Sequence, residues 1–238
     1  MLKSILFFLF SGSITLFSSE FSQLPQVIDF SRFKTSIHNF NYEHDPWLLG
    51  YCAFNYAPEL TPVFALLKRD FHIDVAVETG TSQGSTTTLF SLLFDEVHTI
   101  EIVESVYYQT QKRLSGIDNV HCHLGSSEAV LKELLPSLKD KRILFYLDAH
   151  WQSYWPLLDE LEEISKTHKD NCIIVIDDFK VPGRPEIAYD SYGNHACSHG
   201  YIKKNLQKVF TNYAIYYLIP KSPYCRAKFI AFPKDWSS

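Results

Sequence analysis

Five short β-branched or apolar runs alternate with helical stretches through the middle of this chain. The runs lie at 73–77, 97–100, 120–124, 143–147 and 172–176. Helical spacing fills the gaps at 85–94, 103–114, 127–138 and 154–167, where Leu157, Leu158, Leu161 and Ile164 form one apolar face. Parallel strands need a crossover between them, and strands apolar on both faces need cover on both faces. The alternation therefore predicts an α/β fold with a parallel sheet between two layers of helices. A helix over about 58–70, with Pro58 and Pro62 in its first turn, precedes the first strand. After a long loop near 179–197 the pattern predicts a helix at 202–210 and two strands at 213–219 and 227–232. The loop 220–226 between them suits an antiparallel hairpin, so seven strands are expected.

The chain has 238 residues, 46% hydrophobic and 21% charged, which suffices for one α/β domain with a full core. The net charge is −5 and no Lys/Arg stripe is present, so no nucleic-acid partner is expected. The five cysteines, Cys52, Cys122, Cys172, Cys197 and Cys225, are scattered and odd in number, and predict neither a disulfide framework nor a zinc site.

Residues 1–20 read differently from the rest. Lys3 is followed by an apolar stretch over 4–17 and then Ser18 and Ser19. This describes a signal-like or membrane-targeting segment, with membrane association through residues 4–17, and it is set apart from the fold. Residues 21–57 are an aromatic-rich extension, expected as short helices and loops packed on the main domain at 58–238.

In open parallel sheets ligands bind beyond the carboxyl ends of the strands. Each of the five runs delivers polar groups there: Glu78, Glu101, then Ser127 and Glu128, Asp148, and Asp177 with Asp178. Acids in series repel one another unless a ligand or cation offsets them. The loop after the first run contains Gly80 and Gly84, which permit close backbone approach. Its pattern is neither G-x-G-x-x-G nor a P-loop, and Glu78 beside it disfavours phosphate. Glu101, 23 residues on, is placed to accept from the two hydroxyls of a ribose. These features suit an adenosine compound without phosphates and with a positive centre, such as S-adenosylmethionine.

The series ETGTSQGST (78–86), TIE (99–101), LGSSEAVL (124–131), LDAHW (147–151) and VIDDFKVPG (175–183) resembles the class I S-adenosylmethionine-dependent methyltransferases. It is most similar to the catechol-type, cation-dependent O-methyltransferases and related bacterial small-molecule methyltransferases. The resemblance spans about 60–235 and implies a Rossmann-like methyltransferase fold: a seven-stranded, mostly parallel sheet with an antiparallel C-terminal hairpin strand. It further implies that Glu78, Gly80, Thr81 and Gly84 form the loop beneath the methionine part of the cofactor, with Thr86 near its carboxylate. Glu101 would hold the ribose, and Ile102, Ser127 and Glu128 would border the adenine. Asp148, Asp177 and Asp178 match the three metal-ligand positions, which implies a divalent cation such as Mg²⁺ that orients an acceptor hydroxyl. Asp178 stands where the catechol enzymes usually carry Asn.

The catalytic Lys of that family is absent from the stretch after Asp148. His150 is the nearest titratable candidate for the general base, although a His that packs at a strand end is the equal alternative. The loop 181–199 is expected to border a small-molecule acceptor. His195, Cys197 and His199 alternate within it, but no fourth metal ligand is evident and a polar lid is the preferred reading. Two other functions stay open: a nicotinamide-dependent oxidoreductase, which leaves the aspartates unexplained, and a non-catalytic nucleoside-binding relative. Residues 4–17 point towards export or a membrane, whereas the cofactor points to the cytoplasmic side.

Overall fold

The computed structural model describes residues 27–29, 50, 52–150, 153–221 and 225–237. The signal-like segment, most of the aromatic extension and Trp151 lie outside the described residues.

Among the described residues, eight strands form one sheet. In chain order they are β1 (Val27–Asp29), β2 (Val75–Thr79), β3 (Glu96–Glu101), β4 (Val120–Leu124), β5 (Ile143–Leu147), β6 (Cys172–Ile176), β9 (Tyr213–Ile219) and β10 (Lys228–Pro233). A two-stranded ribbon, β7 (Ser191–Tyr192) with β8 (His195–Ala196), sits in the long loop. The order across the sheet is β1-β9-β10-β6-β5-β2-β3-β4. The seven expected strands are all present, and β10 runs antiparallel to both its neighbours, β6 and β9. The eighth corrects the expectation of helices and loops in the N-terminal extension: Val27–Asp29 adds parallel to β9, with Val27 opposite Tyr217. Three residues are too short a run to show a period, so the sequence carries no signal for it.

Among the described residues, six helices of eight residues or more cover the sheet: α1 (Thr61–Phe71), α2 (Ser85–Leu93), α3 (Glu104–Leu114), α4 (Ser127–Leu134), α5 (Leu157–Thr167) and α6 (His199–Val209). Their ends follow from local chemistry. Pro62 sits in the first turn of α1, and α1 stops at His72 in the left-handed region. Glu104 opens α3 and Lys112 and Arg113 close it, which complements the helix dipole. In α4 the helix ends just before Pro136, and a 3-10 turn, Leu135–Leu138, carries on the apolar face.

The central strands β2, β5 and β6 are buried along their whole length, as strands covered on both faces must be. One face packs Phe54, Phe64, Phe90 and Tyr146 into a ring cluster, with Phe54 and Phe64 stacked at 4.5 Å between centroids. The other face packs Phe145, Ile174 and Phe229 under α5 and α6. Each fully buried side chain of this kind contributes about 1.5–3 kcal/mol through removal from water. These two layers hold the strand ends in register: Glu78 lies opposite Thr99 and Tyr146, and Leu147 opposite Ile176. The sheet thereby brings the ends of β2, β3, β5 and β6 to one edge.

Candidate active site

A cavity of about 660 Å³ opens at that edge. The glycine loop supplies Gly80 and Ser82, the end of β3 supplies Glu101 and Ile102, and the start of α4 supplies Ser127. Asp148 and His150 after β5, Asp178 after β6, and Arg226 before β10 line the opposite side. Asn55 and Tyr56 close it from the N-terminal side.

The glycine loop is tight. Gly80 has φ +85°, and a Cβ there would lie 2.8 Å from the carbonyl oxygen of Asp148. Only glycine meets both conditions. The N–H groups of Gly80 and Thr81 both donate to the Ile100 carbonyl, at 2.9 and 3.1 Å, and that of Gly84 donates to the Thr81 carbonyl. The N–H of Ser82 donates to Glu101 Oε2 at 2.9 Å. These donors are spent on the end of β3 and on the loop itself, so they form no cradle for a phosphate.

Glu101 is held from two sides. Its Oε2 accepts from Ser82 and its Oε1 from the N–H of Val103 at 2.9 Å. A carboxylate has about four lone-pair sites, so each oxygen retains capacity for a hydroxyl donor in the cavity. Glu78 sits one layer deeper and does not line the cavity wall. Its Oε2 accepts from the hydroxyls of Thr87 and Thr99, and Thr81 Oγ1 lies 2.7 Å from Thr99 Oγ1. Burial raises the pKa of Glu78 to about 7, against the two hydroxyl bonds that lower it. Thr86 is engaged too: its Oγ1 accepts from the N–H of Phe54 at 2.9 Å. Gly84 caps α2 with φ +77° against Thr110, behind the cavity. Glu128 likewise stays off the wall, with its Oε2 buried and without a hydrogen bond. Of the residues expected around a cofactor, Gly80, Glu101, Ile102 and Ser127 therefore share the cavity, and Glu78, Thr81, Gly84, Thr86 and Glu128 stand behind it.

The three aspartates do converge, but both oxygens of Asp177 and one of Asp178 are occupied. Asp177 Oδ1 accepts from Lys228 Nζ at 2.5 Å and from the N–H of Asp178 at 2.6 Å. Asp177 Oδ2 accepts from the Tyr146 hydroxyl and from Asn55 Nδ2, the latter at 3.1 Å. Asp178 Oδ2 accepts from Arg226 Nη1 at 2.7 Å, and Arg226 also pairs with Asp190. Burial, then Asp177 and Asp178, push the pKa of Asp148 well above the usual carboxylate range. Mg²⁺ takes free carboxylate oxygens at about 2.0–2.1 Å, with waters completing its octahedron. Among the described residues no group of three or more His, Cys, Asp or Glu is arranged to hold a metal ion. The donor set at Asp148, Asp177 and Asp178 thus does not fit the Mg²⁺ site that the motifs imply, and the physical reason is Lys228 and Arg226.

His150 lines the cavity beside Tyr192, with ring centroids 5.6 Å apart. His195, Cys197 and His199 turn to three separate partners: the Tyr201 ring, the Asp177 carbonyl and the Tyr213 hydroxyl. The loop that carries His195 and Cys197 is tied to the site, because Asp190 N donates to the Asp178 carbonyl at 2.9 Å.

Sequence reasoning missed Lys228, Arg226, Tyr146 and Asn55. One signal was present: a lysine opening the otherwise apolar run 228–232 has to be buried, and a buried lysine demands an acid. Asn55 had no signal, because its turn depends on three consecutive left-handed residues, Phe54, Asn55 and Tyr56.

Known proteins bear on this arrangement in two ways. No family model matches the chain. Over 94 residues, 39% of the chain, it is 32% identical to the protein-L-isoaspartate O-methyltransferase of Helicobacter pylori strain G27. The chain spans 43% of that relative's length. Among solved structures, MtNAS in complex with S-adenosylmethionine aligns with a TM-score of 0.52 at 18% identity, over 80% of this chain and 67% of that one. The O-methyltransferase TomG from Streptomyces achromogenes, also in complex with S-adenosylmethionine, aligns with a TM-score of 0.51 at 16% identity, over 80% and 90%. With its strand order, its antiparallel β10 and these likenesses, the chain has the Rossmann-like fold of the class I S-adenosylmethionine-dependent methyltransferases.

Proposed function

We propose that this chain is an S-adenosylmethionine-dependent methyltransferase that acts on an oxygen of a small-molecule acceptor. The observation that carries the reading is Glu101: an acid fixed by the N–H groups of Ser82 and Val103, facing a cavity whose glycine loop has its donors turned inward. That wall accepts a ribose diol and disfavours a phosphate or pyrophosphate, which separates it from a nicotinamide site. The partial identity to a protein named as an O-methyltransferase, and the likeness to TomG, support an oxygen acceptor.

S-adenosylmethionine supplies a methyl group on a sulfonium centre. The chain's own residues supply position. Gly80 lets the loop pack against the Asp148 backbone at the cavity wall, Glu101 receives the ribose hydroxyls and Ser127 borders the far end. The acceptor takes the space between Asp148, His150, Arg226 and Tyr56. His150 would take the proton of an acceptor hydroxyl aligned with that methyl group. Alignment of the two reactants accounts for most of the acceleration such a transfer requires. In this reading Arg226 and Lys228 balance the acidic floor, and no resident Mg²⁺ takes part.

The test is transfer of label from methyl-labelled S-adenosylmethionine into a cell extract treated with the full chain. The expected result is base-stable label, as in an ether, in the low-molecular-weight fraction. Label confined to macromolecules, or none, contradicts the small-molecule reading.

A further inference from the structure

We propose that Lys228 and Arg226 are the permanent cations of this site, standing where a divalent metal would otherwise be required. The inference deepens the proposed methyl transfer and rests on that reading for its catalytic meaning only.

Four acids meet at the ends of β5 and β6: Asp148, Asp177, Asp178 and, from the long loop, Asp190. Such a cluster cannot persist unbalanced at low dielectric. The balance comes from one short stretch. Arg226 and Lys228 are two residues apart at the start of β10. Lys228 is fully buried and donates to Asp177 Oδ1 at 2.5 Å and to the Arg226 carbonyl at 3.1 Å. Arg226 bridges Asp178 and Asp190, which ties the floor of the site to the loop over it.

This set excludes a metal cation at Asp177 in two ways. Every oxygen of Asp177 already has a donor, including the Tyr146 hydroxyl and Asn55. An ammonium 2.5 Å from Oδ1 also fills the volume and repels the charge of any metal that would share that oxygen. The guanidinium has lasting positive charge and a planar fork, which suits a bridge between two carboxylates. Lys228 is thus a positioning residue: it acts through Asp177, and its head group is sealed from the cavity.

The experiment uses the full chain, thermal unfolding as one readout and calorimetric S-adenosylmethionine binding as the other. Both are run in EDTA and in millimolar Mg²⁺ or Ca²⁺. For the wild type, neither the melting temperature nor the affinity changes by more than about twofold in equilibrium constant between these conditions. Lys228→Met melts lower, and Mg²⁺ or Ca²⁺ raises its melting temperature in a dose-dependent way. That recovery disappears in the Lys228→Met/Asp177→Asn double variant, and Lys228→Arg behaves as the wild type. The proposal is overturned if EDTA weakens wild-type binding tenfold or more and Mg²⁺ restores it. It is also overturned if the wild type binds Mg²⁺ stoichiometrically through Asp177, or if metal leaves Lys228→Met unmoved. Should Lys228→Met not fold, the wild-type comparison decides alone. Should the wild type bind no S-adenosylmethionine at all, the functional reading fails while the melting data still decide the cation question.

Discussion

Asn55 Nδ2 donates to Asp177 Oδ2 at 3.1 Å, a contact between residues 122 positions apart. It fastens an N-terminal turn to the floor of the candidate site. The turn is held in an unfavourable conformation, with φ of 52°, 55° and 64° at Phe54, Asn55 and Tyr56. Left-handed backbone costs about 1–2 kcal/mol per non-glycine residue, so surrounding contacts must over-determine it. Thr86, which accepts from Phe54, and the Asn55–Asp177 bond are two such contacts. Asn55→Ala removes a donor from a buried acid and is expected to cost about 1.5–3 kcal/mol. Urea denaturation checks this; an unchanged midpoint would show that the turn stands without the bond.

Phe54 is fully buried among Phe64, Phe90 and Tyr146. Phe54→Ala should cost about 3–5 kcal/mol, as large-to-small changes in a ring cluster do. Because Phe54 also anchors the turn, limited proteolysis near 50–57 should speed up in the variant under conditions where the rest of the fold survives.

Glu160 on α5 is buried, and neither of its oxygens has a hydrogen bond of ordinary geometry. Burial raises its pKa from 4.5 to about 7, although the nearby hydroxyls of Ser127 and Thr79 pull the other way. The folded state therefore keeps a proton that the unfolded chain releases from pH 4.5 upward. The resulting stability is full below 4.5 and is lost as pH rises to about 7. Glu160→Gln removes this loss. Its advantage over the wild type should grow across that window, by an amount on the order of 3 kcal/mol. Parallel stability curves for the two proteins between pH 4.5 and 7 would refute it.

His98 has the opposite sign. It is buried beside His121 and His123, with Nδ1 3.0 Å from His123 Nε2 and Nε2 3.0 Å from Glu96 Oε1. Burial, then His123, lower its pKa from 6.5 to about 4. The unfolded chain gains the proton first as pH falls, so this contribution is present above 6.5 and lost on the way to 4. His98→Gln should flatten the acid side of the stability curve; a variant that keeps the wild-type acid slope would contradict the assignment.

Much of the fold was legible because buried parallel strands and the helices between them write strong periodic patterns. The runs 120–124, 143–147 and 172–176 match the strands residue for residue. The polar ends were legible for the same reason: Glu101, Asp148 and Asp178 do share one cavity. What stayed hidden depends on tertiary context. Glu78 lies next to the glycine loop in sequence, yet strand pleating turns it to Thr87 and Thr99 below the surface. The acids suggested a missing cation, and the sequence pattern could not show that Lys228, 51 residues after Asp177, folds back to meet it. Strand β1 and the turn at Asn55 carry no periodic signal at all.

The central claim is that the cavity beside Glu101 receives S-adenosylmethionine. Calorimetric titration of the full chain with S-adenosylmethionine and with NAD tests it most directly, with Glu101→Ala in parallel. The account predicts one-to-one binding of S-adenosylmethionine, no binding of NAD, and loss of at least tenfold in affinity on Glu101→Ala. Binding of NAD in place of S-adenosylmethionine, or an affinity for S-adenosylmethionine untouched by Glu101→Ala, would contradict it.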